Sequence, residues 1–125
     1  MLTNQEESVL EAVKRASDAW KTAFNSGDAA GCADQYETNA TMRAEPFGTF
    51  TGTAEIQAFW QKLIDEGFKD VDYLDPQLEI VDATSAILKS DWKMNKAAGV
   101  IQKELWVIQA DGRAKLREDH FEAKA

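Results

Sequence analysis

Apolar residues in the first half of the chain recur at spacings of three and four, the periodicity of helices that pack against a core. One stripe over residues 9–24 follows a capping-box sequence at residues 3–6 and predicts the first helix. Asp28 is suited to cap a short second helix that runs to about Tyr36. A third stripe over residues 56–64 predicts another helix.

Beyond residue 67 the apolar period changes to two, which is typical of strands. The predicted strands cover residues 40–44, 70–82, 86–95, 100–109 and 114–122. Pro46, Gly48 and Gly52 predict an irregular connection after the first of them, and the pair Asp111-Gly112 predicts a hairpin between the last two. Helices followed by an antiparallel meander predict an α+β fold, and residues 1–125 fit one domain.

Alternation is strict in the strand predicted at 86–95, and it separates two faces. One face carries Leu88, Ser90, Trp92 and Met94, and the other carries Lys89, Asp91 and Lys93. A charged face is solvated, so the face that carries Trp92 is predicted to be covered.

The next two strands place acids among apolar residues. One face of the strand at 100–109 carries Val100, Gln102, Glu104, Trp106 and Ile108, and the opposite face carries Ile101, Lys103, Leu105 and Val107. In the last strand Leu116, Glu118 and His120 share the face opposite Lys115, Arg117, Asp119 and Phe121. Because no helix is left to cover the second apolar face, at Ile101, Leu105 and Val107, we predict a homodimer.

Composition and charge exclude several functions. Fourteen basic and 22 acidic residues give a net charge of −8, which argues against nucleic acid and anionic membranes as partners. No apolar run approaches the roughly 20 residues of a membrane span, and the N-terminus lacks the features of a signal peptide. Together with Cys32 as the lone cysteine, which cannot form an internal disulfide, these features predict a cytoplasmic location.

Few motifs point to a particular chemistry. A single histidine, His120, and a single cysteine cannot form a multi-histidine or zinc site, and no phosphate-binding glycine motif occurs, so no metal or cofactor is expected. Glu104 among aromatic residues predicts a raised pKa suited to acid–base work, with a structural ion pair as the alternative. Glu118 and His120 on one face could transfer a proton or merely close the strand end. Tyr36 and Tyr73 are predicted to be core or rim residues.

Several stretches of the sequence resemble one known superfamily. They are residues 23–28, Tyr36, residues 39–41, Gly52, residues 56–60, residues 111–113 and residues 116–118. The chain resembles the nuclear transport factor 2-like superfamily, in its ketosteroid isomerase and SnoaL-like polyketide cyclase branch. This resemblance implies a cone-shaped, strongly bent antiparallel sheet, wrapped by three N-terminal helices around a deep pocket in a cystatin-like α+β barrel, often as a dimer.

The resemblance also implies roles for individual positions. Ketosteroid isomerases use an oxyanion-hole tyrosine, a protonated aspartate and an aspartate base, which fall on Trp20, Glu104 and Ala44, with Glu45 one residue from the base position. Indole can donate a hydrogen bond but cannot act as an acid. With one of the three roles retained, the resemblance does not predict steroid isomerase activity.

The interior is expected to bind a small, largely apolar ligand. Its predicted lining is Trp20, Phe24, Met42, Phe59, Trp60, Trp92, Met94, Trp106 and Leu116, and its predicted catalytic residues are Glu104, His120 and Glu118. Acid–base isomerisation, cyclisation, dehydration or hydrolysis without a cofactor would use such a site. The alternative is a non-catalytic ligand-binding domain or a dimerising interaction module.

Overall fold

Residues 2–124, the part of the chain that the computed structural model describes, form three helices and six strands. In chain order these are α1 (Asn4–Asn25), α2 (Ala29–Ala33), β1 (Tyr36–Glu45), β2 (Gly48–Thr51), α3 (Thr53–Asp65), β3 (Asp72–Asp82), β4 (Ser85–Lys93), β5 (Ala98–Ile108) and β6 (Ala114–Lys124). No helix among these residues is long and apolar enough to cross a membrane.

The start of α1 follows the predicted capping box. The Glu6 N–H donates to the Thr3 hydroxyl at 3.1 Å, and the Thr3 N–H donates to the Glu6 carboxylate at 2.9 Å, so two otherwise free backbone donors are satisfied. Helix α2 ends at Ala33 rather than near Tyr36, because Tyr36 opens β1 and pairs with Leu116 of β6.

The strands form one sheet in the order β2-β1-β6-β5-β4-β3. Neighbours are antiparallel except β1 and β6, which run parallel. The prediction of an irregular connection after β1 is wrong in part, since Gly48–Thr51 forms the edge strand β2. This strand is largely exposed, so no alternation of apolar residues marks it in the sequence. The sheet curls around the helices in the α+β cone that the sequence predicted.

Two bulges alter the predicted strand faces. Gln102 is an extra residue in β5 and Arg117 is an extra residue in β6, and each moves the following residues to the other face. Ile101, predicted to lie outside, is therefore buried within the cone at 3% exposure. In β6 the predicted face is wrong: Leu116 points inward with Asp119 and Phe121, opposite Glu118 and His120.

The predictions for β4 are confirmed. Trp92 on β4 and Trp106 on β5 are buried, and Lys89, Asp91 and Lys93 are exposed. Residues 109–113 connect β5 to β6, so the predicted hairpin forms with a longer loop than two residues. Its loop closes through hydrogen bonds from Gln109 to Arg113 and from Gly112 to Gln109.

Aromatic side chains of α1 and α3 close one side of the cone. Trp20 stacks on Phe24 with ring centroids 5.4 Å apart and meets Trp60 edge-to-face at 4.9 Å. Trp60 in turn stacks on Phe121 of β6 at 5.6 Å. These contacts join the helices to the inner face of the sheet beside an internal cavity.

Candidate active site

The cone encloses a cavity of about 290 Å³, close to the lower end of the range for small-molecule sites. Its mouth lies between the turn at Pro46 and Phe47 and the β4–β5 turn at Lys96, where side chains are exposed. The deeper walls are apolar and aromatic, and two carboxyl groups, from Glu104 and Asp119, interrupt them.

The predicted lining residues divide into two groups. Trp20, Trp60, Trp92 and Met94 border the cavity, as does Glu104. Phe24, Met42, Phe59, Trp106 and Leu116 are buried in the core but do not border the cavity. Some inward-facing side chains border the cavity and others are covered by neighbouring side chains. Alternation along a strand predicts which residues face inward but does not distinguish these two groups.

Glu104 projects into the cone, as predicted, and is 4% exposed. Its Oε1 accepts a hydrogen bond from the Trp106 indole at 3.0 Å, and its Oε2 lies 3.4 Å from the Tyr73 hydroxyl. Burial raises the pKa of Glu104 well above its ordinary value and the charge of Asp119 raises it further, while the two donors oppose the rise. Glu104 therefore holds a proton at pH values where an exposed glutamate has lost it.

Asp119 is the second buried acid, and it lies on the inner face of β6, opposite to the face predicted from simple alternation. It is 4% exposed, and its Oδ2 accepts a hydrogen bond of 2.6 Å from the Tyr36 hydroxyl. Its Oδ1 has no partner among the described residues. Burial raises the pKa of Asp119 to about 6, while the Tyr36 hydroxyl and the charge of nearby His120 oppose the rise.

One sequence signal would have located Asp119. Leu116 and Phe121 are both large and apolar, yet their odd spacing puts them on opposite faces of a regular strand. If both are buried, one bulge must lie between them, and a bulge that precedes Asp119 puts Asp119 on the inner face with Phe121. The sequence gives no such signal for the tyrosines that contact the two acids, because Tyr36 lies 83 residues from Asp119 and Tyr73 lies 31 residues from Glu104 along the chain.

Glu118 and His120, predicted as catalytic, lie on the outer side of the sheet and not at the cavity. Glu118 is exposed and pairs with Lys103 at 3.2 Å. His120 Nε2 lies 3.0 Å from Glu45 Oε1 instead of contacting Glu118. The predicted proton-transfer pair is therefore corrected: the bulge at Arg117 turns both residues away from the interior.

The position of the isomerase base has no acid in the interior. Ala44 is buried in the core, and the neighbouring Glu45 points to the outer side. There Glu45 is held by Arg43 at 3.3 Å and by His120. The pleat of β1 thus keeps this carboxylate away from the cavity.

Three indole N–H groups around the cavity are buried without a partner among the described residues. They belong to Trp20, Trp60 and Trp92. The indole that donates to Glu104 is that of Trp106, two residues along β5, and not that of Trp20. Burial raises the pKa of the Tyr36 hydroxyl, and the neighbouring carboxyl of Asp119 raises it further.

Within residues 2–124, no group of three His, Cys, Asp or Glu side chains is arranged to hold a metal ion. The buried tyrosine hydroxyls remain donors, since burial raises the pKa values of Tyr36 and Tyr73 well above the ordinary value. The arrangement combines Glu104, which burial keeps protonated at pH values where an exposed glutamate is ionised, with a second carboxyl, Asp119, whose pKa is raised to about 6. Such a pair can give and accept a proton inside an apolar cavity.

Comparison with known proteins agrees with this fold. A putative scytalone dehydratase from Novosphingobium aromaticivorans matches with a TM-score of 0.83 and 13% identity, over 99% of this chain and 89% of the other. A ketosteroid isomerase-like protein from Erwinia carotovora atroseptica matches at 0.79 and 19%, over 98% and 99%. A protein of unknown function with a cystatin-like fold from Nostoc punctiforme matches at 0.80 and 10%, over 98% and 94%.

At these identities the structural likeness establishes the fold alone. No curated protein matches the chain significantly in sequence. The family model described as SnoaL-like domain matches residues 17–116, which is most of the chain. The prediction of a SnoaL-like fold within the nuclear transport factor 2-like superfamily is confirmed, and the chain belongs to the SnoaL-like domain family.

Proposed function

We propose that this protein is a cofactor-independent enzyme that moves a proton at a carbon atom of a small, largely apolar molecule, as in an isomerisation or an elimination. The observation that carries the proposal is the pair of buried carboxyls, Glu104 and Asp119, at the wall of one apolar cavity. Ionisable groups buried in a ligand-sized cavity with raised pKa values are typical of acid–base sites.

The two acids take different roles because their surroundings differ. Asp119 has a pKa of about 6, so above that pH it is ionised and is a stronger base than an exposed aspartate. Its Oδ2 is fixed by Tyr36, which leaves Oδ1 to accept a proton. Glu104, whose pKa is raised well above its ordinary value by burial and by the charge of Asp119, serves as the acid.

The proposed proton transfer balances within the site. A C–H bond next to a carbonyl group breaks, its proton goes to Asp119 Oδ1, and its electron pair forms the carbon–carbon double bond of an enol. The carbonyl oxygen receives the proton of Glu104. In the isomerisation of a β,γ-unsaturated ketone, Asp119 delivers its proton to the γ-carbon while the enol O–H proton returns to Glu104 and the carbonyl re-forms. In an elimination, the enol O–H proton likewise returns to Glu104, and the leaving group departs from the neighbouring carbon with the proton held by Asp119.

The structural relatives support this class of reaction without defining it. One is described as a putative dehydratase and another as ketosteroid isomerase-like, and both names denote proton removal at carbon. The tyrosine and base positions of the isomerases are Trp20 and Ala44 in this chain. We therefore propose a different arrangement of groups, in which Asp119 of β6 supplies the base.

Proton exchange tests the proposal without knowledge of the natural substrate. A panel of small cyclic and aryl ketones, with and without an amino substituent, is incubated with the protein in D2O, and loss of the C–H signal is followed by ¹H NMR. We expect accelerated exchange next to the carbonyl of at least one ketone, with a rate that rises as the pH rises through about 6. General acid–base catalysis contributes roughly 10²–10⁴-fold, so Asp119→Asn should slow exchange by at least about 100-fold.

Glu118→Gln is the matched control, because Glu118 lies on the same strand but on the outer side, paired with Lys103. The Glu118→Gln variant should catalyse exchange of the ketone C–H at the wild-type rate. Exchange that is unchanged in Asp119→Asn would contradict the role of the carboxyl pair. Binding of ketones without any exchange would favour the alternative of a non-catalytic ligand-binding domain.

A further inference from the structure

The buried carboxyl pair contains no cationic partner. Among residues 2–124, no Lys, Arg or His nitrogen lies within 4.0 Å of a carboxylate oxygen of Glu104 or Asp119. The hydrogen-bond donors to the pair are neutral groups: the Trp106 indole and the hydroxyls of Tyr73 and Tyr36. Asp119 Oδ1 has no donor among the residues that the structure describes. A buried carboxylate with a free oxygen is unfavourable unless something brings it a charge or a donor.

Charged groups on the surrounding elements act on the pair only from a distance. Lys21 on α1 lowers the pKa of Glu104 slightly against the larger effects of burial and of Asp119, while its own ammonium group lies 3.5 Å from Asp18. His120 acts on Asp119 from the outer side of β6. Lys96, at the mouth, donates to the Glu66 carbonyl oxygen. The interior is thus left with a negative charge that no cation among residues 2–124 contacts directly.

The walls around this charge are electron-rich. Six of the residues that line the cavity within the cone are aromatic: Trp20, Trp60, Phe68, Tyr73, Trp92 and Phe121. Two of these rings already hold an ammonium group of the protein: Lys21 Nζ lies 4.8 Å from the Tyr73 ring centroid, and Lys96 Nζ lies 5.4 Å from that of Phe68. Aromatic rings attract cations through their quadrupoles, most strongly where water is excluded.

The geometry points to a small hydrophobic amine, bound as its ammonium ion, as the class of ligand that this cavity accepts. The ammonium group donates to Asp119 Oδ1 and faces Glu104, and the apolar body packs on the tryptophan and phenylalanine walls. This inference rests on the proposed function only in using the same cavity as a ligand site. It requires no proton transfer at carbon, so the two can fail separately.

Other ligand charges fit less well. An anion would bring a second negative charge against the pair, and the lining offers it no cation except Lys96 at the mouth. A neutral molecule with a carbonyl group would satisfy buried indole donors but would leave Asp119 Oδ1 without a donor. An ammonium ion supplies both the missing donor and the missing charge, and hydrogen bonds between ionised groups are about twice as strong as neutral ones.

Two probes of nearly the same size separate these cases. N,N-dimethylbenzylamine is protonated at pH 7.5, whereas N,N-dimethylbenzamide is neutral and carries a carbonyl acceptor. Affinities are measured by isothermal titration calorimetry and by quenching of tryptophan fluorescence, since Trp20, Trp60 and Trp92 border the cavity. We expect the amine to bind at least tenfold more tightly than the amide.

Variants connect the preference to the pair. Asp119→Asn, which removes the negative charge, should weaken amine binding by tenfold or more and leave amide binding within twofold. Glu118→Gln, on the outer side, should change neither. In the wild-type protein, amine binding should weaken by about tenfold between pH 7.5 and pH 5, because Asp119, with a pKa of about 6, gains a proton. Amide binding should be flat over the same range.

The wild-type measurements decide the question even if a variant fails to fold. Equal or tighter binding of the amide, or amine binding that does not change between pH 7.5 and pH 5, would overturn the inference. Failure of both probes to bind at millimolar concentration would overturn it as well. Amine binding with no exchange on any ketone would sustain this inference and contradict the proposed catalysis.

Discussion

Glu104 and Asp119 are register partners across β5 and β6, and both carboxyls lie on the inner face of the sheet. Directly opposed side chains on one face have Cβ atoms about 4.5–5.5 Å apart, so two full charges at these positions repel strongly in a buried setting. The pair therefore titrates as a unit, with one proton retained after the first is lost. The tyrosine hydroxyls determine how that proton is divided, since Tyr36 donates to Asp119 and Tyr73 lies beside Glu104.

Removal of the Tyr36 hydroxyl should raise the pKa of Asp119 above its value of about 6. A hydrogen bond to an ionised group contributes about 1.5–3 kcal/mol, so Tyr36→Phe should move the midpoint upward by about one pH unit or more. Carboxyl ¹³C NMR titration of the variant and the wild type measures this directly.

Tyr73→Phe is the comparison for that experiment, because Tyr73 approaches Glu104 at 3.4 Å rather than Asp119. This variant should move the Glu104 titration upward, and by less, since the longer contact is weaker. An Asp119 midpoint that stays in place or falls in Tyr36→Phe would contradict the assigned role of the short hydrogen bond.

The parts of the structure that the sequence predicted are those with local signals. Helices α1 and α3 carry long apolar stripes, and the strict alternation of β4 identified its buried and exposed faces. The position of Glu104 in the cone followed from its apolar neighbours in β5. Each of these features repeats over many residues, so a single misplaced residue does not change the assignment.

The features that the sequence missed depend on one residue or on distant pairing. The extra residues Gln102 and Arg117 interrupt the alternation of inward and outward side chains. Simple alternation therefore predicted Ile101 and Asp119 on the opposite faces from those that they occupy. The contact of Tyr36 with Asp119 joins residues 83 positions apart through the parallel pairing of β1 and β6. No local pattern encodes such a contact, so half of the candidate site emerged only from the folded chain.

The outer face of the sheet remains the predicted dimer surface, although it is smaller than the sequence indicated. Ile101 belongs to the interior, which leaves Leu105, its register partner Ile87 and nearby Val107 half-buried on the outside. We expect a dimer mass by light scattering at micromolar concentration, and a monomer mass for Leu105→Lys, because a charge in an apolar contact is desolvated without a partner.

Lys89→Glu provides the control for this surface, since Lys89 is already charged and exposed on β4. It should retain the dimer. A monomer mass for the wild-type chain would remove the outer face as an interface, and a dimer that survives Leu105→Lys would move the interface elsewhere.

Gly99 is required where β5 passes between its neighbours. A Cβ at this position would overlap the carbonyl oxygen of Glu122 and would lie 2.7 Å from Cζ2 of the Trp92 ring, which borders the cavity. Overpacking of this kind lowers stability by about 1–3 kcal/mol, so Gly99→Ala should lower the free energy of unfolding by that amount in urea. Ala98→Ser, at an exposed neighbouring position, should change it by less than about 0.5 kcal/mol. Equal stabilities of the two variants would contradict the predicted clash.

The charge of Asp119 should make the fold less stable as the pH rises. Its folded pKa of about 6 lies above the ordinary value of 3.8, so the folded chain holds a proton that the unfolded chain has lost between these values. The free energy of unfolding therefore falls progressively from pH 4 to pH 6, by roughly 3 kcal/mol in total.

Asp119→Asn removes the ionisable group and can keep its contact with Tyr36, so it should raise the free energy of unfolding by about 1–3 kcal/mol at pH 7.5 and by much less at pH 4.5. Urea unfolding at both pH values measures this difference, and Glu118→Gln, exposed on the same strand, should show no such dependence.

An equal gain in the free energy of unfolding of Asp119→Asn at both pH values would mean that packing, rather than the buried charge, determines the stability of the variant. A gain confined to pH 7.5 would identify Asp119 as a carboxylate whose ionisation lowers the stability of the fold, the condition under which a bound cation has most to contribute.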